Sequence, residues 1–347
     1  MSNMKLYYAC LLSISLFLAG TSECAAFAPT PYAFPKLVRS QRSLDTTTPR
    51  TVAFAPPATT ATRTSSSPLT RRLSVSGILE GPVVAGLVES ALSSTGNVPF
   101  SLALGINTLL FGAFNGKLKT MLTPTGFSHA AALGTVLWTT LGWKGWTLCV
   151  VYLILGQVVT KVRFKDKEQR GLAQSRGGRR GPENVWGSAA TGLVCAACAA
   201  QGASFLGLGS ELYLLGYVAS LSTKLADTFA SEIGKAYGKT TFLITTLARV
   251  EPGTEGAVSA EGTAAAVVGG FLLSLYGYAV GLIGSPGAVA VSTVAAFLAT
   301  NVESLIGATL QEKKGFEWMT NEVVNFFNTL IGAGIAIAGG VLVLGMS

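Results

Sequence analysis

Apolar runs of membrane-crossing length follow one another from about residue 83 to residue 345, and they are continuous rather than alternating. A helix needs about 20 apolar residues to span the hydrocarbon core, whereas a barrel strand alternates apolar and polar residues. The pattern therefore restricts the chain to an all-α, polytopic helical membrane protein. Only 12% of its 347 residues are charged, where soluble domains carry roughly 25%. The 41 glycines suit close helix approach, which in lipid proceeds without a hydrophobic drive between helices. Runs at 83–95, 98–116, 127–142, 145–160, 185–209, 211–226, 263–284, 286–310 and 323–345, several of them interrupted, predict about six or seven membrane helices.

The net charge of +8 comes from basic residues in loops and near the N-terminus. Membrane orientation and contact with anionic lipids account for such a distribution, so no nucleic-acid partner is expected. Residues 161–184 are dominated by Lys and Arg, which places that loop on the untranslocated side. His129 is the single histidine, which excludes multi-histidine metal sites and leaves little room for histidine catalysis. Cys195 and Cys198 sit within GLVCAACAA and read as small packing residues.

Residues 1–26 have a positive start at Lys5, an apolar core from Leu6 to Ala19 and a small-residue end at Cys24-Ala25-Ala26, the form of a signal peptide. A retained anchor helix is the alternative. Residues 27–76 are rich in Ser, Thr, Pro, Ala and Arg, with Asp45 as the only acid, which is transit-peptide composition. A disordered luminal tail would share it. The remaining residues, 77–347, are expected to form one polytopic membrane domain.

Against this apolar background, Thr223 to Gly262 concentrates acids, lysines, hydroxyls and glycines. Ionisable groups are costly at membrane depth and usually mark function. Thr223, Asp227 and Ser231 are four residues apart and share one helix face. Asp227 can hold a divalent cation, since Mg²⁺ takes one or two carboxylates with water and substrate phosphates. It can equally form a structural pair with Lys224. Glu232 lies about 140° around the helix from Asp227; it reaches the same ion only through water, serves a second ion, or lies beyond the helix end. Gly234-Lys-Ala-Tyr-Gly238-Lys239-Thr240 misses the P-loop spacing by one residue, but Lys235 and Lys239 remain placed for phosphates. The turn around Gly253, Thr254 and Gly256, leading to Ser259, can present backbone N–H groups to a phosphate; Ser259 or Glu261 can instead cap the next helix. Arg176-Gly-Gly-Arg179-Arg180-Gly181 combines forked cations with glycines. Glu303 is a second carboxylate within apolar sequence, and Asn321-Glu322 opens the last run.

Asp227-Thr-Phe-Ala-Ser231-Glu232-Ile-Gly234, Pro252-Gly-Thr-Glu-Gly256-Ala-Val-Ser259, Arg176-Gly-Gly-Arg179-Arg180-Gly and Asn321-Glu-Val-Val-Asn325-Phe-Phe-Asn328 together resemble an integral membrane family that includes the plastid phytyl-phosphate kinase of tocopherol synthesis. The resemblance covers roughly residues 80–347. One departure is Glu303, where the family pattern leads us to expect Asp. The resemblance implies phosphoryl transfer from a nucleoside triphosphate, CTP as the first expectation, to an isoprenyl phosphate lipid, giving phytyl diphosphate for tocopherol or phylloquinone synthesis. For such a reaction the residues themselves suggest Asp227 and Glu232 on Mg²⁺ with Ser231 beside them, Glu303 as a supplement, and Lys235, Lys239, Arg176, Arg179 and the 253–259 turn on phosphates. The leader resembles two-part plastid presequences, with Phe27 after the first cleavage point, and a plastid membrane is the expected destination. A transporter of an ion or isoprenoid phosphate, and a structural protein of the membrane, are the rival classes.

Overall fold

The computed structural model describes residues 96–201, 207–311 and 313–347. The expected signal peptide, the transit-like leader and the apolar run 83–95 lie outside the described residues. Nine helices follow one another among those described: α1 (Phe100–Ala113), α2 (Asn115–Met121), α3 (Pro124–Lys161), α4 (Phe164–Gln169), α5 (Pro182–Ala200), α6 (Ser210–Tyr237), α7 (Ala260–Ala279), α8 (Pro286–Leu310) and α9 (Asn321–Leu344). A 3₁₀ turn, Ser175–Gly178, precedes α5. The short strands β1 (Phe242–Leu243) and β2 (Ala257–Val258) pair antiparallel between α6 and α7. The all-α membrane architecture is thus observed.

Local chemistry sets the helix starts. Thr123, Ser259, Ser285 and Thr320 each accept a backbone N–H three residues on, at 3.0, 3.1, 3.1 and 3.4 Å. Each such cap satisfies a donor that the first turn leaves orphaned. Pro124 and Pro286 occupy first-turn positions, where the missing N–H costs nothing.

Helix α3 is a hairpin. The amide of Asn107 donates to the Ala131 carbonyl at 2.7 Å and accepts from the Trp146 indole at 2.9 Å. On a straight helix those two residues would stand about 22 Å apart. The arms fold back at Gly142, whose φ of 61° and ψ of −154° are non-helical. The expected separate runs 127–142 and 145–160 are these two arms. Gly142→Ala should destabilise the protein by about 1–3 kcal/mol, read as an earlier thermal unfolding in nanodiscs.

By length and composition α3, α7, α8 and α9 are long and apolar enough to cross a membrane, and α1 is a shorter apolar helix. The expected six or seven spans compare with these four, one of them folded into two arms. Helix α6 is less apolar than these for a physical reason. α6 is surrounded by α3, α5, α7, α8 and α9, and its residues from Leu212 to Thr228 are almost all buried. A helix shielded from lipid needs no apolar exterior. The outward faces of α7, α8 and α9 instead expose Phe271, Val294 and Leu330.

Small residues set the α6–α7 spacing: Gly262 meets Gly234, Gly270 meets Ala226, and Gly277 meets Val218. Buried hydroxyls then join the helices. Ser274 of α7 donates to Ser222 of α6 at 3.1 Å and lies 2.8 Å from Ser292 of α8. Thr191 of α5 and Thr329 of α9 are 3.0 Å apart. Such bonds hold membrane helices together where no hydrophobic drive does.

Candidate functional site

The ends of α3, α5, α6, α7, α8 and α9 converge with the loops around 174–180 and 252–258 on one cavity of about 430 Å³. Its walls are strongly polar, and both loops identified in the sequence contribute to them. They therefore lie on the same side of the membrane, as a shared site requires. The opposite end of the bundle carries Lys144, beside Gly281, as its only Lys or Arg among the described residues. The cavity end is thus the positive end of the bundle among the described residues. Cysteines placed at Lys165 and Glu251 should react with a membrane-impermeant maleimide from the same side of sealed vesicles.

Asp227 sits near the C-terminal end of α6 with only 9% of its surface exposed. Lys224, one turn earlier, donates to Asp227 Oδ2 at 2.5 Å and to Asn325 Oδ1 at 2.7 Å. The structural pair anticipated between Lys224 and Asp227 is present, and it lies inside the cavity. Ser231 lies on the same face, its hydroxyl donating to the Thr228 carbonyl at 3.2 Å. Glu303 of α8 lines the opposing wall with Asn301 and Ser304. Its carboxylate stands within electrostatic reach of Asp227, Lys224, Glu255 and Lys235.

Arg176 and Arg179 rim the cavity from the 3₁₀ turn. Arg176 has a left-handed backbone, φ 54°, rare for a residue with a side chain. An ion pair to Glu183 and a 3.1 Å bond to Asn184 Oδ1 hold it. Asn184 Nδ2 in turn donates to Glu322 Oε1 at 3.2 Å, which ties the turn to α9. Lys235 lines the cavity from α6, and Gly253, Thr254, Gly256 and Ser259 line it from the hairpin. Ser259 is the N-cap of α7, so its hydroxyl oxygen is taken by Gly262 N–H. Gly256 has φ 74°, and a Cβ there would lie 2.6 Å from the Ser304 carbonyl oxygen. Only glycine lets the turn rest against α8 one turn beyond Glu303.

Two expected residues are not brought here. Glu232 is fully buried away from the cavity in an ion pair with Lys167 of α4. The five-residue step from Asp227 turns it to the opposite face of α6, so it does not share a cation with Asp227. Lys239 lies past the end of α6, exposed, with its backbone N–H 3.4 Å from Glu261 Oε1. The sequence showed Asn325 and Arg180 only within longer motifs, with no site role of their own, and Lys224 only as a structural partner of Asp227; all three line the cavity. Lys224 and Asn325 are 101 residues apart, and no local periodicity announces such a contact.

Among the described residues no three His, Cys, Asp or Glu side chains form a metal cage. The donor set still fits Mg²⁺. Two carboxylates, Asp227 and Glu303, face one cavity with amide and hydroxyl oxygens around them, and Mg²⁺ is held by one or two carboxylates with substrate phosphates completing its shell. The single histidine is structural: Trp186 Nε1 donates to His129 Nδ1 at 2.8 Å.

Residues 107–333 match the family described as Integral membrane protein DUF92. The chain belongs to this family. It is 53% identical over 240 residues to an uncharacterised membrane protein of Synechocystis sp., covering 69% of this chain and 90% of that one. It is 44% identical over 238 residues to Protein VTE6, chloroplastic, of Arabidopsis thaliana, covering 68% of this chain and 70% of that one. An uncharacterised membrane protein of Methanocaldococcus jannaschii is 31% identical over 221 residues, 64% and 87% of the two chains. No solved structure is a significant match.

Proposed function

We propose that this membrane protein is a prenyl-phosphate kinase that transfers a phosphoryl group from a nucleoside triphosphate, CTP as the first candidate, to phytyl monophosphate. The product, phytyl diphosphate, would feed tocopherol or phylloquinone synthesis in a plastid membrane. The observation that carries this reading is the cavity at the positive end of the bundle, where Asp227 and Glu303 face Arg176, Arg179 and Lys235. Identity to a chloroplastic relative supports the plastid setting.

The chemistry suits these residues. A phosphate monoester has its second pKa at about 6, so the attacking oxygen is already anionic and needs no general base. The absence of an available histidine is then no obstacle. The difficulty is bringing two polyanions together, and phosphoryl transfer is served mainly by positioning and charge neutralisation. Arg176, Arg179, Arg180 and Lys235 supply fixed positive charge, the arginines with forked donors matched to phosphate. Lys224 and Asn325 fix the orientation of Asp227. Asp227 and Glu303 would hold Mg²⁺, which when bound neutralises charge on the phosphate oxygens.

Protein in nanodiscs, given Mg²⁺, phytyl monophosphate and γ-labelled CTP, ATP or GTP, should form labelled phytyl diphosphate with at least one nucleotide. Absence of turnover with every nucleotide, together with flux of phytyl phosphate or an ion across liposomes, would replace this reading with transport.

A further inference from the structure

An apolar cleft adjoins the polar cavity. This second space, of about 70 Å³, lies between the two arms of α3 and helix α5, walled by Leu133, Leu137, Val150 and Leu153. Its lining is almost wholly apolar. The two spaces share Arg180, Asn184 and Ser188 as lining residues, so they adjoin across these three side chains. Arg180 is fixed at the junction: its guanidinium donates to the Tyr152 hydroxyl and stacks over that ring at 5.0 Å from the centroid. A guanidinium presents five donors, so donors remain for an anion on the cavity side.

The geometry points to a tail-binding subsite: the cleft between the α3 hairpin and α5 takes the head-proximal isoprene segment of the lipid substrate, with its phosphate held at Arg180. The assignment rests on the prenyl-phosphate reading above. Adjacency at Arg180 selects the occupant. A phosphate on Arg180 has a charged cavity on one side and this cleft on the other, and an isoprenoid chain attached to it gains by leaving water for apolar walls. The cleft is smaller than a whole phytyl chain, so the distal tail continues into the bilayer. The fold-back at Gly142 is what creates the groove, since a straight α3 would offer no second wall.

The test uses the full chain in phosphatidylcholine nanodiscs and a phytyl monophosphate analogue with a diazirine on its first isoprene unit. Irradiation should label residues 130–137 or 149–153, and excess unlabelled phytyl phosphate should suppress the label. Competed labelling confined to α7 or α8 would overturn the groove and leave the prenyl-phosphate reading standing. Groove labelling that phytyl phosphate does not displace would assign the cleft to bilayer chains and overturn the subsite. No competed labelling anywhere would remove the prenyl-phosphate reading along with it. Val150→Trp and Leu153→Trp provide a second measurement. Each should raise KM for phytyl phosphate relative to a single-isoprene phosphate by about tenfold, with thermal unfolding confirming the fold. An equal change for long and short substrates would count against the groove.

Discussion

Asp227→Asn is expected to lower the turnover of phytyl phosphate by about a hundredfold or more while the protein remains folded. The substitution keeps shape and removes charge at the residue on which cation binding depends. Loss of one preorganised electrostatic partner typically costs about 10²–10³ in rate. Folding should survive because Lys224, unlike the fully buried Lys167, borders the polar cavity, keeps its 2.7 Å bond to Asn325 and stays within electrostatic reach of Glu303, and the new amide still offers it an oxygen. Glu303→Gln should act more mildly, raising the Mg²⁺ concentration needed for half-maximal rate, since one carboxylate remains. Thermal unfolding in nanodiscs separates the two effects from loss of structure. An Asp227→Asn variant with wild-type turnover would sink the assignment of Asp227 to the cation.

The contrast between Asp227 and Glu232 shows what a sequence of this kind discloses. Helical period alone put Asp227 and Ser231 on one face and turned Glu232 away, and the structure has both features; Thr223, expected on that face, is buried against Gly332 of α9 instead of lining the cavity. The apolar runs, the Ser and Thr caps and the two prolines at helix starts were equally legible, because each depends on residues a few positions apart. The partner of Glu232 was not. Lys167 lies 65 residues earlier, inside a loop whose charges read as orientation signals. The meeting of Asp227 with Glu303, and of Lys224 with Asn325, depends on how three long helices pack, which no local spacing encodes. Lys239 failed differently: its near-motif drew attention, but α6 ends at Tyr237 and carries the side chain out of the cavity. Arg180 was visible within its motif, yet its position between two cavities follows from the α3 hairpin.

The Lys167–Glu232 pair yields the second large effect. Both side chains are fully buried, and Lys167 Nζ also donates to the Thr160 carbonyl at 3.0 Å. The pair joins α4 to α6, beside Arg163 and Arg170, which bond to the carbonyls of Ala236 and Lys235 at 2.9 and 3.1 Å. It thus fastens the basic loop to the helix that carries Asp227. Removing one member strands an uncompensated buried charge, which costs about 3–5 kcal/mol. Lys167→Met alone should therefore unfold well below the wild type. Replacing both charges by apolar residues of similar volume is often neutral, so Lys167→Met combined with Glu232→Leu should recover most of that loss. Activity of the double variant decides the role of Glu232. Recovered turnover identifies the pair as a strut between loop and helix. A stable but inactive double variant would return Glu232 to the reaction, against its position on the far face of α6.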